Sequence, residues 1–199
     1  MDKIKPPWTG CGASKDITGC RFTLSVMADN YVEQILGAIG RVDIGNVWSQ
    51  TDALSTIYRG RRIHVVDAAR AVFVHINDRK THSTMEATFS KGCPGDVDAD
   101  SYLAHDDTLL NPREVGFDVR AKIAFYPLGA PDYMEQIAHV ANMAVERGLY
   151  QNASHYASEL RGDVNALFDY FHDVLAYAEA HIDHYVLQVT LSVNSPTKQ

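Results

Sequence analysis

The chain has 199 residues, of which 46% are hydrophobic and 22% charged, as in an ordinary globular protein. Its formal net charge of -7 argues against a nucleic-acid partner, because phosphate binding needs a basic stripe. No stretch has the apolar length of a membrane span, and the first residues lack the apolar core of a secretory signal. Three cysteines form no paired framework, so reduced thiols and a cytoplasmic location are expected.

A repeat at a fixed offset organises the chain. Segment 31–35 recurs at 133–137, and Arg59-Gly60 recurs as Arg161-Gly162, both 102 residues further on (133 − 31; 161 − 59). Residues 31–95 contain 12 identities at this offset, where about four are expected by chance. Upstream, Arg21 aligns with Arg120 if the second copy carries three additional residues. The chain is therefore predicted to contain two copies of one structural unit.

In the first copy, the hydrophobic periodicity predicts the order β-α-β-β-α-β. The predicted strands and helices cover residues 21–27, 31–42, 47–51, 54–59, 63–77 and 81–90. Tyr31, Ile35, Ile39 and Val42 recur at helical spacing, which predicts that they face the core.

The second copy has the same order. Its predicted elements cover residues 119–126, 132–146, 149–152, 155–161, 164–180 and 184–193. This order is typical of a ferredoxin-like unit. The predicted fold class is therefore α+β: a tandem repeat of two ferredoxin-like βαββαβ units with antiparallel sheets. The first repeat, with an N-terminal extension, takes residues 1–95, a linker rich in Gly, Pro and Asp takes 96–116, and the second repeat takes 117–199.

Two helices per unit cover one sheet face, and the alternation of side chains places polar residues on the other. In the first copy these include Thr23, Ser25, Ser55, Arg59, Glu86, Thr88 and Ser90. In the second copy they include Lys122, Glu159, Arg161, Gln188, Thr190 and Ser192. Two interpretations remain open: a solvated sheet face, or two related ligand sites built on rigid strands.

Several segments resemble a known family. Residues 11–14, 19–27, 47–60, 88–96, 125–129 and 131–134 are similar in sequence and order to the YkoF-type thiamin/hydroxymethylpyrimidine-binding proteins. The resemblance implies a homodimer that binds thiamin or its hydroxymethylpyrimidine (HMP) half without catalysis. It also implies a functional link to pyrimidine salvage and a pyrimidine transporter. No cofactor beyond the ligand is expected. The alternative is a small-molecule enzyme or a ligand-sensing regulatory module on the same fold.

The resemblance centres on one short segment, and the polar sheet face supplies further candidates. The expected ligand-binding residues are Thr51, Asp52, Ser55, Arg59, Glu86, Thr88, Glu159, Arg161 and Gln188. A carboxylate such as Asp52 or Glu86 can pair with the ring nitrogen and amine of an aminopyrimidine, while the Ser55 or Thr88 hydroxyl fixes its orientation. Trp48 and Tyr58 could stack on the ring, but burial in the core is favoured for both.

The second copy differs at several of these positions. Asp52 is replaced by Ser154, Ser55 by Ala157 and Glu86 by Gln188, while Arg161 matches Arg59. Glu159 is a candidate substitute for the lost carboxylate. These differences fit two unequal sites or one site and a degenerate pocket. The alternative for Arg59 and Arg161 is an ion pair across the packed repeats.

Two further patterns imitate metal sites. Asp96, Asp98, Asp100 and Asp107 have the spacing of a calcium loop, but Ser101 stands where the loop needs glycine. His181, Asp183 and His184 lack a further placed ligand. An acidic linker and an exposed turn are the expected structures. We therefore predict no metal site, and no catalytic residue.

Overall fold

The computed structural model describes residues 16–91 and 96–197. The strands of the first half are β1 (Thr18–Val26), β2 (Trp48–Thr51), β3 (Thr56–Gly60) and β4 (Ser83–Lys91), with helices α1 (Tyr31–Ile39) and α2 (Arg62–Ile76). Those of the second half are β5 (Asp118–Leu128), β6 (Tyr150–Ser154), β7 (Ala157–Asp163) and β8 (His184–Val193), with α3 (Tyr133–Glu146) and α4 (Val164–His181). A 3-10 helix, Asp96–Ala104, lies between the halves. The predicted order of elements agrees with the structure.

The eight strands form one antiparallel sheet in the order β2-β3-β1-β4-β8-β5-β7-β6. The halves join through β4 and β8, which pair from Ser83–Val193 to Ser90–Val186. Each half therefore contributes four strands in the same relative order, and the joining strands leave no open edge between them. The α+β class and the antiparallel pairing are as predicted, while the continuity of the sheet is a feature that the repeat alone does not specify.

The register corrects one part of the predicted repeat. Arg21 lies opposite Thr88, and Lys122 lies opposite Thr190, which is the repeat counterpart of Thr88. Arg21 therefore corresponds to Lys122, at an offset of 101 (122 − 21), and its alignment with Arg120 is wrong. The two alignments differ by two residues, a shift that keeps every side chain on the same face of a strand. Hydrophobic alternation alone does not distinguish them.

The four helices cover one face of the sheet and enclose a single core with it. Small residues on α2, including Ala68, Ala69 and Ala71, are buried, and α2 packs against the sheet and against both α1 and α4. On α1, Ile35 and Ile39 pack against the core, but the predicted core position of Tyr31 is wrong because its side chain is 52% exposed. None of the described helices combines the length and apolarity that crossing a bilayer requires.

Local chemistry sets the ends of two helices in the second half. At the start of α4, the Asp163 carboxylate accepts a hydrogen bond from the Asn165 backbone N–H at 2.8 Å, as an N-cap does. At the end of α3, Gly148 has a φ of 67°, a left-handed conformation that glycine adopts without steric cost. The chain then turns directly into β6.

Candidate functional site

A pocket of about 400 Å³ lies on the open face of the sheet, opposite the helices and over the first half. It is lined by Arg21, Phe22, Thr23, Asp52, Leu54, Ser55, Ile57, Glu86, Ala87, Thr88 and Gln188. Five of the nine predicted site residues are therefore brought together here: Asp52, Ser55, Glu86, Thr88 and Gln188. Its volume lies within the usual range of small-molecule sites, about 300–1,000 Å³.

Two rows of side chains cross the strands beneath this open-face pocket. In one row, Ile57 of β3, Arg21 of β1, Thr88 of β4 and Gln188 of β8 are successive neighbours. In the other, Glu86 lies between Thr23 and Thr190. Directly opposed side chains on paired strands are about 4.5–5.5 Å apart at Cβ. Donors and acceptors from three strands, β1, β4 and β8, are thus held within reach of one small ligand.

Asp52 shapes the rim of the open-face pocket. Its Oδ1 accepts hydrogen bonds from the backbone N–H groups of Leu54 (2.8 Å) and Ser55 (2.9 Å), and its own N–H donates to the Ser55 carbonyl at 3.0 Å. These backbone hydrogen bonds, with a smaller contribution from the Arg21 charge, lower the pKa of the Asp52 carboxyl. The ionised carboxylate therefore holds the turn that brings Leu54 and Ser55 to the rim.

The charges lining the open-face pocket sum to -1, from Arg21, Asp52 and Glu86. An apolar wall stands beside them: Ile57 is half-buried, and Leu54 is 83% exposed at the tip of the β2–β3 turn. The combination of carboxylates, hydroxyls and an apolar wall suits a flat polar heterocycle that carries amine donors or a positive charge.

Thr51 and Arg59 are predicted site residues that lie elsewhere. The Thr51 hydroxyl contacts the Thr56 hydroxyl at 3.0 Å, on the helix side of the sheet. The Arg59 guanidinium lies over the Trp48 ring, 4.3 Å from its centroid, near the edge strand β2. Trp48 is therefore on the open face, and its predicted place in the core is wrong. Tyr58 is fully buried, as predicted, so neither aromatic ring lines the pocket.

Glu159 and Arg161 lie on the open face of the second half, outside this pocket. Arg161 forms an ion pair with Asp118 at 2.9 Å on the neighbouring strand of its own half, so the predicted ion pair across the repeats is wrong for this residue. Glu159 lies opposite Lys122 on β5. Among the predicted second-copy residues, only Gln188 reaches the first-half pocket, because β8 lies next to β4.

Six lining residues are absent from the predicted ligand-binding set: Arg21, Phe22, Thr23, Leu54, Ile57 and Ala87. For Arg21 the signal was present, since it alternates with Phe22 and so shares the open face with Thr23 and Ser25. Leu54 belongs to a turn, where strand periodicity carries no information.

The metal-like patterns have other partners in the structure. Asp107 forms an ion pair with Arg61, and His181 Nδ1 lies 2.8 Å from the Tyr177 carbonyl oxygen. The side chains of Asp96 and Asp98 lie outside the described part of the chain, as do Cys11 and Cys93. Within the described ranges, no group of three or more potential metal ligands is found. Burial raises the pKa of the Cys20 thiol.

Two comparisons place the chain among known proteins. The model of the YKOF-related Family matches residues 17–96 and 118–198, one match in each half. The chain is also 38% identical over 192 residues to the "Putative HMP/thiamine-binding protein YkoF" of Bacillus subtilis (strain 168), covering 95% of this chain and 96% of the relative. The chain belongs to the YKOF-related family, which confirms the resemblance seen in its sequence.

Proposed function

We propose that the protein binds thiamin or HMP reversibly in the open-face pocket of the first half. The observation that carries this proposal is the grouping of Glu86 and Thr88 on the sheet with Asp52 and Ser55 of the β2–β3 turn around one pocket. The printed name of the Bacillus subtilis relative supports the choice of ligand.

The chemistry of the ligand matches the lining groups. An aminopyrimidine offers an exocyclic amine as donor and ring nitrogens as acceptors. The Glu86 carboxylate accepts from the amine, and the Thr88 and Ser55 hydroxyls can donate to the ring. The net negative charge of the pocket favours a thiazolium cation, and Leu54 and Ile57 cover the apolar edge of the ring.

The lining groups favour binding over reaction. They are carboxylates, hydroxyls, a guanidinium and an amide, and the described lining residues include no pair of nucleophile and histidine base. We therefore propose a non-catalytic protein that needs no cofactor. From the order of strands and helices we propose two ferredoxin-like units, and from the family resemblance we propose a cytoplasmic role in pyrimidine salvage with a linked transporter. An enzyme or regulatory module on the same fold is the alternative.

We also propose a homodimer in which a second copy covers the open face. Leu54 is 83% exposed and Tyr156 is 98% exposed, and both occupy the same position in their repeats (156 − 54 = 102). Each lies at the tip of a hairpin, and Leu54 also lines the open-face pocket. Large apolar side chains exposed at repeated positions are typical of a protein–protein interface. Sedimentation with Leu54→Ser and Tyr156→Ser variants tests this: a dimer that dissociates on substitution supports it, and a wild-type monomer contradicts it.

Calorimetry and ligand recovery test the proposed function together. Titration of the full chain with thiamin, and separately with HMP, should give saturable binding that raises the melting temperature. Chromatography after long incubation should return the ligand unchanged. Absence of binding at millimolar concentration would contradict the proposal, and a recovered product would favour the enzyme. The substitution Glu33→Gln, on an exposed turn of α1, provides a control in which binding is retained.

A further inference from the structure

A second pocket, of about 220 Å³, lies on the helix side of the molecule between α2 and α4. It is lined by Ile63, Val66, Asp67, Arg70, Leu109, Arg113, Phe168, Asp169 and His172. Six of these form three pairs at the repeat offset of 102: Val66 with Phe168, Asp67 with Asp169, and Arg70 with His172. This pocket, here called the inter-helix pocket, therefore lies where the two halves meet, on the opposite side of the sheet from the open-face pocket.

Arg70 brings one hydrogen-bond donor without a partner to the inter-helix pocket. Its side chain is 1% exposed, and its Nη2 donates at 3.0 Å each to Asp67 Oδ1 and to the carbonyls of Asn111 and Pro112. Its Nη1 donates to Asn165 Oδ1 at 3.3 Å. Its Nε, in contrast, has no hydrogen-bond partner among the described residues. A buried donor without an acceptor is destabilising, so an acceptor oxygen supplied by a ligand would stabilise this site.

The nearby carboxylate of Asp67 is already saturated. Besides Arg70, it accepts hydrogen bonds from the backbone N–H groups of Leu110 (3.3 Å) and Asn111 (3.2 Å) and from the Asn111 side chain (2.9 Å). The charge of Asp67 is thus compensated within the protein. Asp67 accepts no hydrogen bond from the Arg70 Nε. Of these two residues, Arg70 therefore has an unused donor and Asp67 has no unused acceptor, while Asp169 and His172 also line the inter-helix pocket.

A second guanidinium stands at the same pocket. Arg113 is half-buried, and its Nη2 bonds to Asp169 Oδ1 at 2.6 Å. Since a guanidinium carries five N–H donors, this one contact leaves others for a ligand. The remaining lining residues are His172 and four apolar ones, Ile63, Val66, Leu109 and Phe168. An apolar cavity of about 150 Å³ holds a benzene molecule, so this volume accommodates one ring with a polar group.

We propose that the inter-helix pocket binds a small monocarboxylate with an apolar body. The carboxylate accepts hydrogen bonds from the Arg70 Nε and the Arg113 guanidinium, and the apolar body packs against Phe168 and Leu109. An ionised acceptor is favoured over a neutral one because charge-assisted hydrogen bonds to arginine are the stronger kind. This site lies apart from the open-face pocket, and its occupancy does not depend on thiamin binding.

Benzoate and benzamide are the probes, because they share a ring and differ in charge. Protein-observed NMR on the full chain should show saturable shifts with benzoate, with a Kd on the order of 1 mM. Benzamide should bind at least about tenfold more weakly, since it lacks the charge that pairs with arginine. Absence of saturable shifts with benzoate up to about 20 mM, or equal affinity for benzamide, would overturn the proposal.

Three variants localise the binding. Val66→Phe fills the pocket with the side chain that position 168 carries, and should abolish benzoate binding while leaving thiamin binding intact. Arg113→Gln should weaken benzoate binding about fivefold or more. Arg147→Gln is the matched control, because Arg147 has similar exposure and pairs with Asp173 outside the pocket. Equal benzoate affinity in Arg113→Gln and Arg147→Gln would contradict the proposal even if Val66→Phe fails to fold.

Discussion

On the open face of the sheet, Arg21, Glu86 and Thr88 of the first half correspond to Lys122, Gln188 and Thr190 of the second. At the neighbouring hairpins, Asp52, Ser55 and Ile57 correspond to Ser154, Ala157 and Glu159. The cation and one hydroxyl are kept, while the charge summed over these positions changes from -1 to 0. The two halves thus share a surface geometry but not a hydrogen-bonding pattern.

The helix-facing side of the same strands behaves differently. Met85 and Phe89 of β4 correspond to Leu187 and Leu191 of β8, and all four are 0–1% exposed. Packing requires apolar side chains of suitable volume at these positions, whereas the open face has no such constraint. The comparison indicates that the shared core preserves the sheet, and under the proposed function we expect the few open-face residues that differ to set ligand preference.

The substitution Glu86→Gln should have the largest effect, because it gives the first half the residue found at the second-half position. Loss of the ionised acceptor should weaken thiamin binding about tenfold or more, as expected for a hydrogen bond to a charged group. Calorimetry at neutral pH measures this, with Glu33→Gln as control. Unchanged affinity in Glu86→Gln would show that the difference between the halves at this position is irrelevant to the ligand.

Ser55→Ala should have an intermediate effect, and it likewise introduces the second-half residue. Loss of one neutral hydrogen bond of about 1 kcal/mol predicts an affinity roughly five times weaker. Ser25→Ala, on the same face but outside the pocket, is the matched control. If both variants bind thiamin alike, the Ser55 hydroxyl makes no contact with the ligand.

Asp52→Ala should lower stability in a pH-dependent way. The folded-state pKa of Asp52 lies below its unfolded value near 3.9, so its contribution to stability is present above that value and is lost as pH falls through the folded pKa. Urea midpoints of wild type and variant should therefore differ at pH 7 and converge in strong acid. Equal midpoints at pH 7 would contradict a role for this carboxylate in holding the turn.

His75→Gln should have the smallest effect. Burial, followed by the charges of Arg41 and Arg70, lowers the pKa of His75, and the repeat counterpart of His75 is Tyr177. A lowered histidine pKa means that stability is lost as pH falls below about 6.5 toward the folded pKa. The slope of melting temperature between pH 7 and about 5 should be shallower in the variant. An identical slope would assign the pH dependence to other groups.

Much of the fold was predictable because hydrophobic alternation and the 102-residue offset both reflect burial, which the sequence records directly. The side of the sheet on which Trp48 lies was not predictable from these patterns. Strand β2 has four residues, and its register on β3 depends on the turn at Asp52–Ser55, which places Thr51 opposite Thr56 and Trp48 opposite Arg59. Turn length decides which side chains share a face, and alternation within one strand does not reveal it.

The candidate site was predictable only in part for a similar reason. Glu86 and Thr88 lie in a long, regular strand whose alternation fixes their face. Gln188 joins them because β4 pairs with β8, a contact between the halves that no local pattern encodes. The same pairing leaves Glu159 and Arg161 two strands away from β8, toward the other edge of the sheet.

A crystal structure of the full chain with thiamin tests the central claim most directly. We expect the pyrimidine ring on the open face of the first half, with its amine within hydrogen-bond distance of the Glu86 carboxylate. A ligand seated only in the helix layer, or only over the second half, would contradict it.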